Sequence, residues 1–430
     1  MLEGATAYIS DMEDERVFVA TLLGVPCFAF DPDRQQLRPL AVDLQASLED
    51  LAASGFQNPF TGDPMDAIEA VELCGFWRRI IDSNREIVAA VGFAFWKQDH
   101  VAPLLWGAHR LPFLRTAESV DEGQSVALWR AKVAPKVVAE LERKGARLIE
   151  VEDGFLRSRG LGADCIPPLS ITVDRLGPHF DPAQPSELER LLQEGEFDAA
   201  LLARARQLRS LIVETGMGKY GSSTAVVGRP AGERLHVLVP GQVEDDRAVK
   251  AGGCGLTSNL ELLKRVREQA PDAYILYKPH PDVLAGHRRG AIDDRSTLQY
   301  ADEIVGELPI ASLIGMVDEV HVNTSLAGFE ALLRKKKVTT YGVPFYAGWG
   351  LTEDRGPVPD RRTAIRSLDE LVAATLLLYP RYLDPLTGLP CPAEVIVERL
   401  RIDQRSDANV IVGMRRLQGK LMRRLRSLIQ

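Results

Sequence analysis

The sequence lacks the features that mark several protein classes. Its five cysteines show no CxxC spacing and are odd in number, which argues against a disulfide framework and a cysteine-rich zinc site. No stretch approaches the ~20 consecutive apolar residues of a membrane span, and the chain does not begin with a basic segment followed by an apolar run. The net charge of −8 argues against wholesale binding of nucleic acid. We therefore expect a cytoplasmic protein.

Two stretches of alternating strands and helices organise the chain. The first has predicted strands over 87–92 and 146–151, a predicted helix over 128–144 and a helical region from 186 to about 215. The second has strands over 236–240, 273–277 and 319–322, with a helix over 259–269. This pattern predicts an α/β protein with two Rossmann-like, doubly wound domains that face a central cleft, the arrangement called GT-B. The predicted divisions are 1–85 (role open), 86–230 (acceptor-side domain), 231–400 (nucleotide-binding domain) and 401–430 (C-terminal helix).

Acidic residues follow predicted strands in both halves. Glu152 and Asp153 precede Gly154 at the end of the strand over 146–151, with Arg157 and Arg159 close behind. Asp245 and Asp246 belong to the run Gly-Gln-Val-Glu-Asp-Asp after the strand over 236–240. If both clusters face one cleft, one carboxylate could attack a substrate carbon while another accepts a proton. The alternative for each is a solvated acidic turn.

Two further motifs suit a phosphate. In Lys278-Pro279-His280-Pro281, the prolines restrict the backbone just past a strand; the alternative is a turn whose histidine faces solvent. In Asn323-Thr324-Ser325, hydroxyls gather where a helix is predicted to begin near Leu326, and free N–H groups at such a position bind anions. The alternative is an N-cap without a ligand. The aromatic and glycine-rich segment 341–351 is suited to a flat sugar or base, although packing alone would also explain it.

Several runs, taken together and in order, resemble the capsule-synthesis β-Kdo transferases of the KpsC type over residues 91–400. The runs are 151–158, 241–246, 277–283, 328–334 and 346–352. The sequence is also similar, more remotely, to bacterial sialyltransferases, through Asp153, His280-Pro281 and Thr324-Ser325. Members of the first family often carry two such modules in tandem, whereas this chain holds one, preceded by an unmatched N-terminal segment.

The resemblance implies transfer of Kdo, a 2-keto acid sugar, from CMP-β-Kdo to a lipid-linked or Kdo-terminated glycan with retained configuration. A double displacement would use Asp246 or Asp245 as nucleophile and Glu152 or Asp153 as base. The donor-binding residues would be Lys278, His280, Pro281, Asn323, Thr324, Ser325, Gln242 and Glu330; the sugar carboxylate would be clamped by Arg157, Arg159 or Lys250. No cofactor or metal is expected, because CMP lacks the pyrophosphate that usually recruits a divalent cation.

The segment 401–430 is basic and amphipathic, with Met414, Leu417 and Leu421 at helical spacing among arginines. Such a helix can lie on an anionic membrane, which would make the protein peripheral on the inner face of the inner membrane; packing against another domain is the alternative. Two other functions remain open from the sequence: a nucleotide-sugar epimerase of the same fold, and a non-catalytic capsule assembly factor.

Overall fold

The computed structural model describes residues 7–9, 17, 20–21, 25–40, 43, 45–46, 49, 53, 55–158, 166–218, 221–222, 228–230, 232–286, 288–306 and 308–402. The predictions for Arg159 and for the C-terminal segment 403–430 therefore lie outside the described residues. The chain divides into two compact units, Met1–Arg79 and Ile80–Gln430.

The first unit contains a three-stranded sheet and a short hairpin. The sheet has the order β1 (Tyr8–Ile9), β2 (Cys27–Asp31), β3 (Gln36–Pro39), and the hairpin pairs β4 (Phe56–Gln57) with β5 (Pro64–Met65). Val17, Ala20 and Cys27 form a small buried cluster beside the sheet. None of the motifs described above falls in this unit.

The second unit contains two larger sheets, and the first of them is mixed. Its strands are β6 (Ile87–Val91), β7 (Phe113–Leu114), β8 (Ser125–Leu128), β9 (Arg147–Asp153), β10 (Ser170–Asp174), β19 (Pro380–Leu383) and β20 (Pro390–Cys391), in the order β20-β19-β10-β9-β8-β6-β7. β6 to β9 run parallel, whereas β10, β19 and β20 pair antiparallel. The chain thus returns to this sheet through residues 380–391, which the sequence-based division assigns to the second domain.

The second sheet is parallel throughout. Its strands are β13 (His236–Pro240), β14 (Tyr274–Lys278), β15 (Glu303–Ile304), β16 (Glu319–Val322), β17 (Lys337–Thr340) and β18 (Glu353–Asp354), in the order β15-β14-β13-β16-β17-β18. The central strand β13 is buried along its whole length and pairs with β14 on one side and β16 on the other. Continuous apolar runs of this kind are typical of parallel strands covered on both faces. A separate hairpin pairs β11 (Met217–Gly218) with β12 (Gly221–Ser222).

The helices of the described residues are α1 (Ala67–Asn84), α2 (Phe95–Val101), α3 (Pro135–Arg143), α4 (Glu187–Glu194), α5 (Ala199–Glu214), α6 (Arg247–Gly252), α7 (Asn259–Gln269), α8 (Pro281–Leu284), α9 (Asp294–Thr297), α10 (Ile310–Met316), α11 (Leu326–Leu333), α12 (Leu368–Val372) and α13 (Ala393–Ile402). Single 3₁₀ turns cover Ala102–Leu105 and Arg130–Lys132, and a π turn covers Ala373–Leu378. The α/β class predicted from the sequence is confirmed, with antiparallel strands added to the first sheet, whereas the predicted division at residue 230 stays a prediction.

One predicted helix was wrong in extent, and one predicted helical region is confirmed as a pair of helices. The helix expected over 128–144 begins only at Pro135, because Leu128 ends the buried strand β8 and proline is favoured in the first turn of a helix. The helical region over 186–215 is two helices, each with its own cap: Ser186 accepts from the Glu189 N–H and Asp198 from the Leu201 N–H. Helical apolar spacing did not reveal either break, since it continues across short turns.

Candidate active site

A cavity of about 670 Å³ lies between the two sheets of the second unit. It is at the carboxyl ends of the strands, the usual position for ligands in doubly wound folds. β9 contributes Glu152 and Asp153 from one side. The second sheet and the segments after its strands contribute the opposite wall. This wall includes Gln242, Asp246, Lys278, His280, Pro281, Arg288, Thr324, Ser325 and Glu330.

Glu152 meets a cation from the opposite sheet. Arg247, in the first turn of α6, donates from Nη1 to Glu152 Oε1 at 2.5 Å and lies 3.4 Å from Glu150 Oε2. Burial nevertheless raises the pKa of Glu152 to about 7; the neighbouring acids Asp153 and Glu150 push in the same direction, against Arg247. A carboxyl group with this pKa can exchange protons near neutral pH.

Asp153 is held by two cations of the first sheet's side. Lys97 Nζ donates to Asp153 Oδ1 at 3.3 Å, and Arg157 Nε lies 2.9 Å from Oδ2. Lys97 is itself buried over the ring of Trp129, 3.3 Å from the ring centre, and this burial lowers its pKa to about 8. The two acids of the motif therefore differ: Glu152 faces the opposite domain, whereas Asp153 belongs to a local ion-pair cluster.

The guanidinium of Arg157 makes its contacts within that cluster. Its side chain is 1% exposed, and besides Asp153 it donates to Ser158 Oγ at 2.6 Å and to the Ile166 carbonyl at 2.9 Å. It does not line the cavity. Lys250, the other described candidate for the carboxylate clamp, is exposed on α6 and does not line the cavity either.

The structure separates the two candidate nucleophiles. Asp246 lines the cavity and caps α6, with Oδ1 accepting from the Ala248 N–H at 3.0 Å. Asp245 does not line the cavity; its Oδ1 lies 3.3 Å from Nη2 of Arg288. The cap orients the Asp246 carboxylate at the cavity wall.

Gln242 joins two turns of the second sheet. Its Nε2 donates to Thr324 Oγ1 at 2.8 Å, and its Oε1 accepts from the Thr324 N–H at 2.9 Å. Its own N–H donates to Asn259 Oδ1 at 2.8 Å, and Asn259 returns a bond from Nδ2 to the Gln242 carbonyl at 2.8 Å. This buried amide network fixes the turn after β13 against the turn after β16.

Lys278 and His280 bring nitrogen donors to the cavity. Lys278 Nζ donates to the Gly306 carbonyl at 3.0 Å, and burial lowers the pKa of the amine. His280 caps α8, with Nδ1 accepting from the Asp282 N–H at 3.1 Å. In a neutral imidazole this contact leaves the proton on Nε2, the nitrogen then able to donate.

α11 begins at Leu326, as predicted, and Ser325 is its N-cap, with Oγ accepting from the Ala327 N–H at 3.3 Å. The first turn of the helix lines the cavity through Thr324, Ser325 and Leu326, and Glu330 follows one turn later. The third residue of the motif, Asn323, is buried outside the lining, where Nδ2 donates to the Leu256 carbonyl at 2.6 Å.

The segment 341–351 supports the site mainly by packing. Tyr346 and Trp349 are fully buried. The Tyr346 hydroxyl donates to the Ser325 carbonyl, and the Trp349 indole donates to the Phe345 carbonyl at 2.8 Å. Only Pro344 and Phe345 of this segment line the cavity. The segment thus supports the start of α11 through packing and through the hydrogen bond from Tyr346.

Three cations of the site were missed by the sequence reasoning: Arg247, Arg288 and Lys97. Arg247 directly follows the Asp245-Asp246 pair and could have been suspected from that position. Lys97 and Arg288 gave no sequence signal, because they lie 56 residues from Asp153 and 43 residues from Asp245, respectively.

Within the described residues, three or more His, Cys, Asp or Glu side chains nowhere group closely enough to hold a metal ion. The expectation that no metal takes part stays a prediction.

Comparison with known proteins identifies relatives. The family model described as "Capsule polysaccharide biosynthesis protein" matches residues 124–226 and 223–382. The capsule polysaccharide modification protein LipA of Neisseria meningitidis serogroup A is 38% identical over 357 residues, which cover 81% of this chain and 50% of LipA. The lipopolysaccharide-processing protein LpsZ of Rhizobium meliloti is 38% identical over 349 residues, covering 78% of this chain and 79% of LpsZ. The chain thus spans about half the length of its LipA relatives.

Two solved structures are similar to the chain. The β-Kdo 2,7 transferase of Thermosulfurimonas dismutans KpsC has 35% sequence identity and a TM-score of 0.61, with 74% of this chain and 100% of that chain covered. The β-Kdo 2,4 transferase of the same KpsC has 31% identity and a TM-score of 0.64, with coverage of 73% and 98%.

Among the described residues, no helix has both the length and the apolar character that crossing a bilayer requires.

Proposed function

The chain belongs to the capsule polysaccharide biosynthesis protein family, and from this premise we propose that it is a retaining β-Kdo glycosyltransferase. The donor is CMP-β-Kdo, and the acceptor is a lipid-linked or Kdo-terminated glycan of a surface polysaccharide. The observation that carries the proposal is that Glu152 and Asp246, from opposite sheets, line one cavity together with Lys278, His280 and the N-terminus of α11. The likeness to two β-Kdo transferase structures supports the choice of sugar.

The first step uses Asp246. A carboxylate oxygen of Asp246 forms a bond to the anomeric carbon of Kdo while the bond from that carbon to the phosphate oxygen of CMP breaks, its electron pair leaving with CMP. Lys278 and the Nε2–H of His280 stabilise the departing phosphate, aided by the positively polarised N-terminus of α11. The configuration at the anomeric carbon is inverted in this step.

The second step uses Glu152. The acceptor hydroxyl gives its proton to Glu152 as its oxygen bonds to the anomeric carbon, and the bond to Asp246 breaks with its electron pair returning to the carboxylate. A second inversion restores the original configuration. The pKa of Glu152, about 7, suits a base that must be ionised before the step and protonated after it. Glu330, buried at the cavity wall, accepts hydrogen bonds from the hydroxyl groups of the donor in this proposal.

The experiment combines transfer and trapping. The protein is incubated with CMP-β-Kdo, generated in situ, and a synthetic Kdo-terminated acceptor, and the products and the intact protein are analysed by mass spectrometry. Wild type should extend the acceptor. Glu152→Gln should accumulate a Kdo adduct that peptide mapping locates at Asp246, whereas Asp246→Ala should form none. Asp272→Ala, at an exposed position outside the cavity lining, is the control and should keep transfer within a few-fold of wild type.

Each rival function gives a different result. An epimerase would convert a nucleotide sugar without extending any acceptor, and an assembly factor would do neither. Wild-type transfer without an adduct on any carboxylate of the cavity would contradict the double displacement.

Membrane contact through 401–430 is a separate proposal from the sequence. It is tested by liposome flotation of the protein with and without residues 405–430, and equal flotation would contradict it.

A further inference from the structure

Arg288 is a cavity-lining arginine beside the proposed nucleophile. Its Nη2 atom lies 3.3 Å from Asp245 Oδ1 and 3.7 Å from Asp246 Oδ2. The segment that carries it is attached to the turn with the two acids, because the Arg289 carbonyl accepts from the Glu244 N–H at 3.2 Å. The guanidinium therefore has a defined position at the cavity wall, next to Asp246.

This position matches the chemistry of a 2-keto acid sugar. Such a sugar carries its carboxylate on the anomeric carbon itself, one bond from the atom that the nucleophile attacks. A cation that binds this carboxylate must therefore lie within a few ångströms of the nucleophile. Arg288 meets this requirement with respect to Asp246. Arg157 is bound to Asp153 outside the cavity lining, and Lys250 does not line the cavity.

A second requirement concerns charge. Attack by the Asp246 carboxylate on a carbon that bears another carboxylate brings two anions together, and like charges at such short range repel. A guanidinium between them offsets this repulsion, and its planar fork can bind the substrate carboxylate through two parallel hydrogen bonds. Asp245 holds Arg288 near this position before the donor arrives.

We propose that Arg288 binds the carboxylate of the donor sugar and thereby selects 2-keto acid sugars over sugars without that group. The inference rests on the proposed function, because it places the donor's anomeric carbon at Asp246. When the donor binds, the guanidinium exchanges its contact with Asp245 for the substrate carboxylate. No covalent bond changes in this exchange.

The test compares Arg288→Gln with Arg289→Gln, a matched control in which the neighbouring arginine is exposed and does not line the cavity. Binding of CMP-β-Kdo and of CMP is titrated in the absence of acceptor, with every protein also carrying Asp246→Ala so that no adduct forms, and kcat/KM is measured with acceptor on proteins that keep Asp246. We expect Arg288→Gln to lose about 10- to 100-fold in affinity for CMP-β-Kdo, the range for a hydrogen bond between charged groups. CMP lacks the sugar carboxylate, so its affinity should change less than two-fold. Arg288→Lys should fall between wild type and Arg288→Gln.

Two outcomes would overturn the inference: affinity for CMP-β-Kdo within two-fold of wild type in Arg288→Gln, or an equal loss for CMP and CMP-β-Kdo, which would assign the arginine to the phosphate. A different outcome would contradict the transferase proposal. Wild type that binds CMP-β-Kdo through Arg288 but extends no acceptor would contradict the transferase while supporting the carboxylate site.

Discussion

Replacing Glu152 with glutamine is expected to stabilise the fold at alkaline pH while it abolishes transfer. The pKa of Glu152 rises from its ordinary 4.5 to about 7, chiefly through burial. The folded state therefore binds this proton more tightly than the unfolded state does. The contribution of Glu152 to the free energy of unfolding is therefore most favourable below pH 4.5. It decreases as the pH rises and is fully lost above pH 7.

The size of the effect follows from the pKa values. One pKa unit corresponds to about 1.4 kcal/mol, so the rise to about 7 costs the wild-type fold about 3 kcal/mol at pH 8. Glutamine has nearly the same shape, keeps an oxygen that can accept from Arg247, and carries no charge to bury. Glu152→Gln should thus unfold at a Tm higher by on the order of 5 °C at pH 8. At pH 4 the two proteins should unfold at nearly the same temperature.

The assay is thermal unfolding by circular dichroism at pH 4, 6 and 8, with transfer measured on the same preparations. Glu122→Gln is the control, since Glu122 is an exposed carboxylate in the turn before β8 and its removal should change Tm little at any of the three values. A Tm difference between Glu152→Gln and wild type that stays constant from pH 4 to pH 8 would refute the electrostatic reasoning. Full transfer by Glu152→Gln would refute its role as base.

Three further predictions concern the surroundings of the site. Arg247→Gln removes the cation that lowers the pKa of Glu152, so the acidic limb of the pH–rate profile should move up by about one pH unit or more; an unchanged limb would contradict the pairing. Lys278→Met should weaken CMP inhibition and raise KM for the donor by similar factors, about ten-fold or more, and unchanged inhibition by CMP would separate Lys278 from the phosphate. Gly328→Ala places a methyl group closer to the Tyr346 hydroxyl oxygen than van der Waals contact allows, so we expect a loss of about 1–3 kcal/mol in the free energy of urea unfolding, partly restored by adding Tyr346→Phe; no loss would show that the tyrosine shifts freely.

Local features of the site were predictable from short stretches of sequence. The start of α11 near Leu326 was predictable because serine and threonine favour the position just before a helix, a preference that depends only on residues within one turn. The strands β13 and β16 and the helix α7 were predicted with their observed bounds. β13 is mostly apolar, valines alternate with polar residues in β16, and α7 has apolar residues at helical spacing. The position of Glu152 at a strand end followed from the same local pattern.

Tertiary structure decided which of these residues share a site. The sequence favoured Asp246 as nucleophile but left Asp245 as an alternative, and in the structure only Asp246, at the start of α6, lines the cavity. Arg157, predicted from its closeness to Glu152 and Asp153, is instead bound to Asp153 and to backbone outside the cavity lining.

The contacts that define the chemistry join distant parts of the chain. Arg247 and Glu152 are 95 residues apart, and Gln242 and Thr324 are 82 apart. The sequence by itself determined the strands, the caps and the two acidic strand ends, because these depend on residues within a few positions of one another. Only the tertiary packing, within each sheet's surroundings and across the cavity, decided which cation meets which carboxylate, because that depends on the relative position of elements that no local pattern encodes.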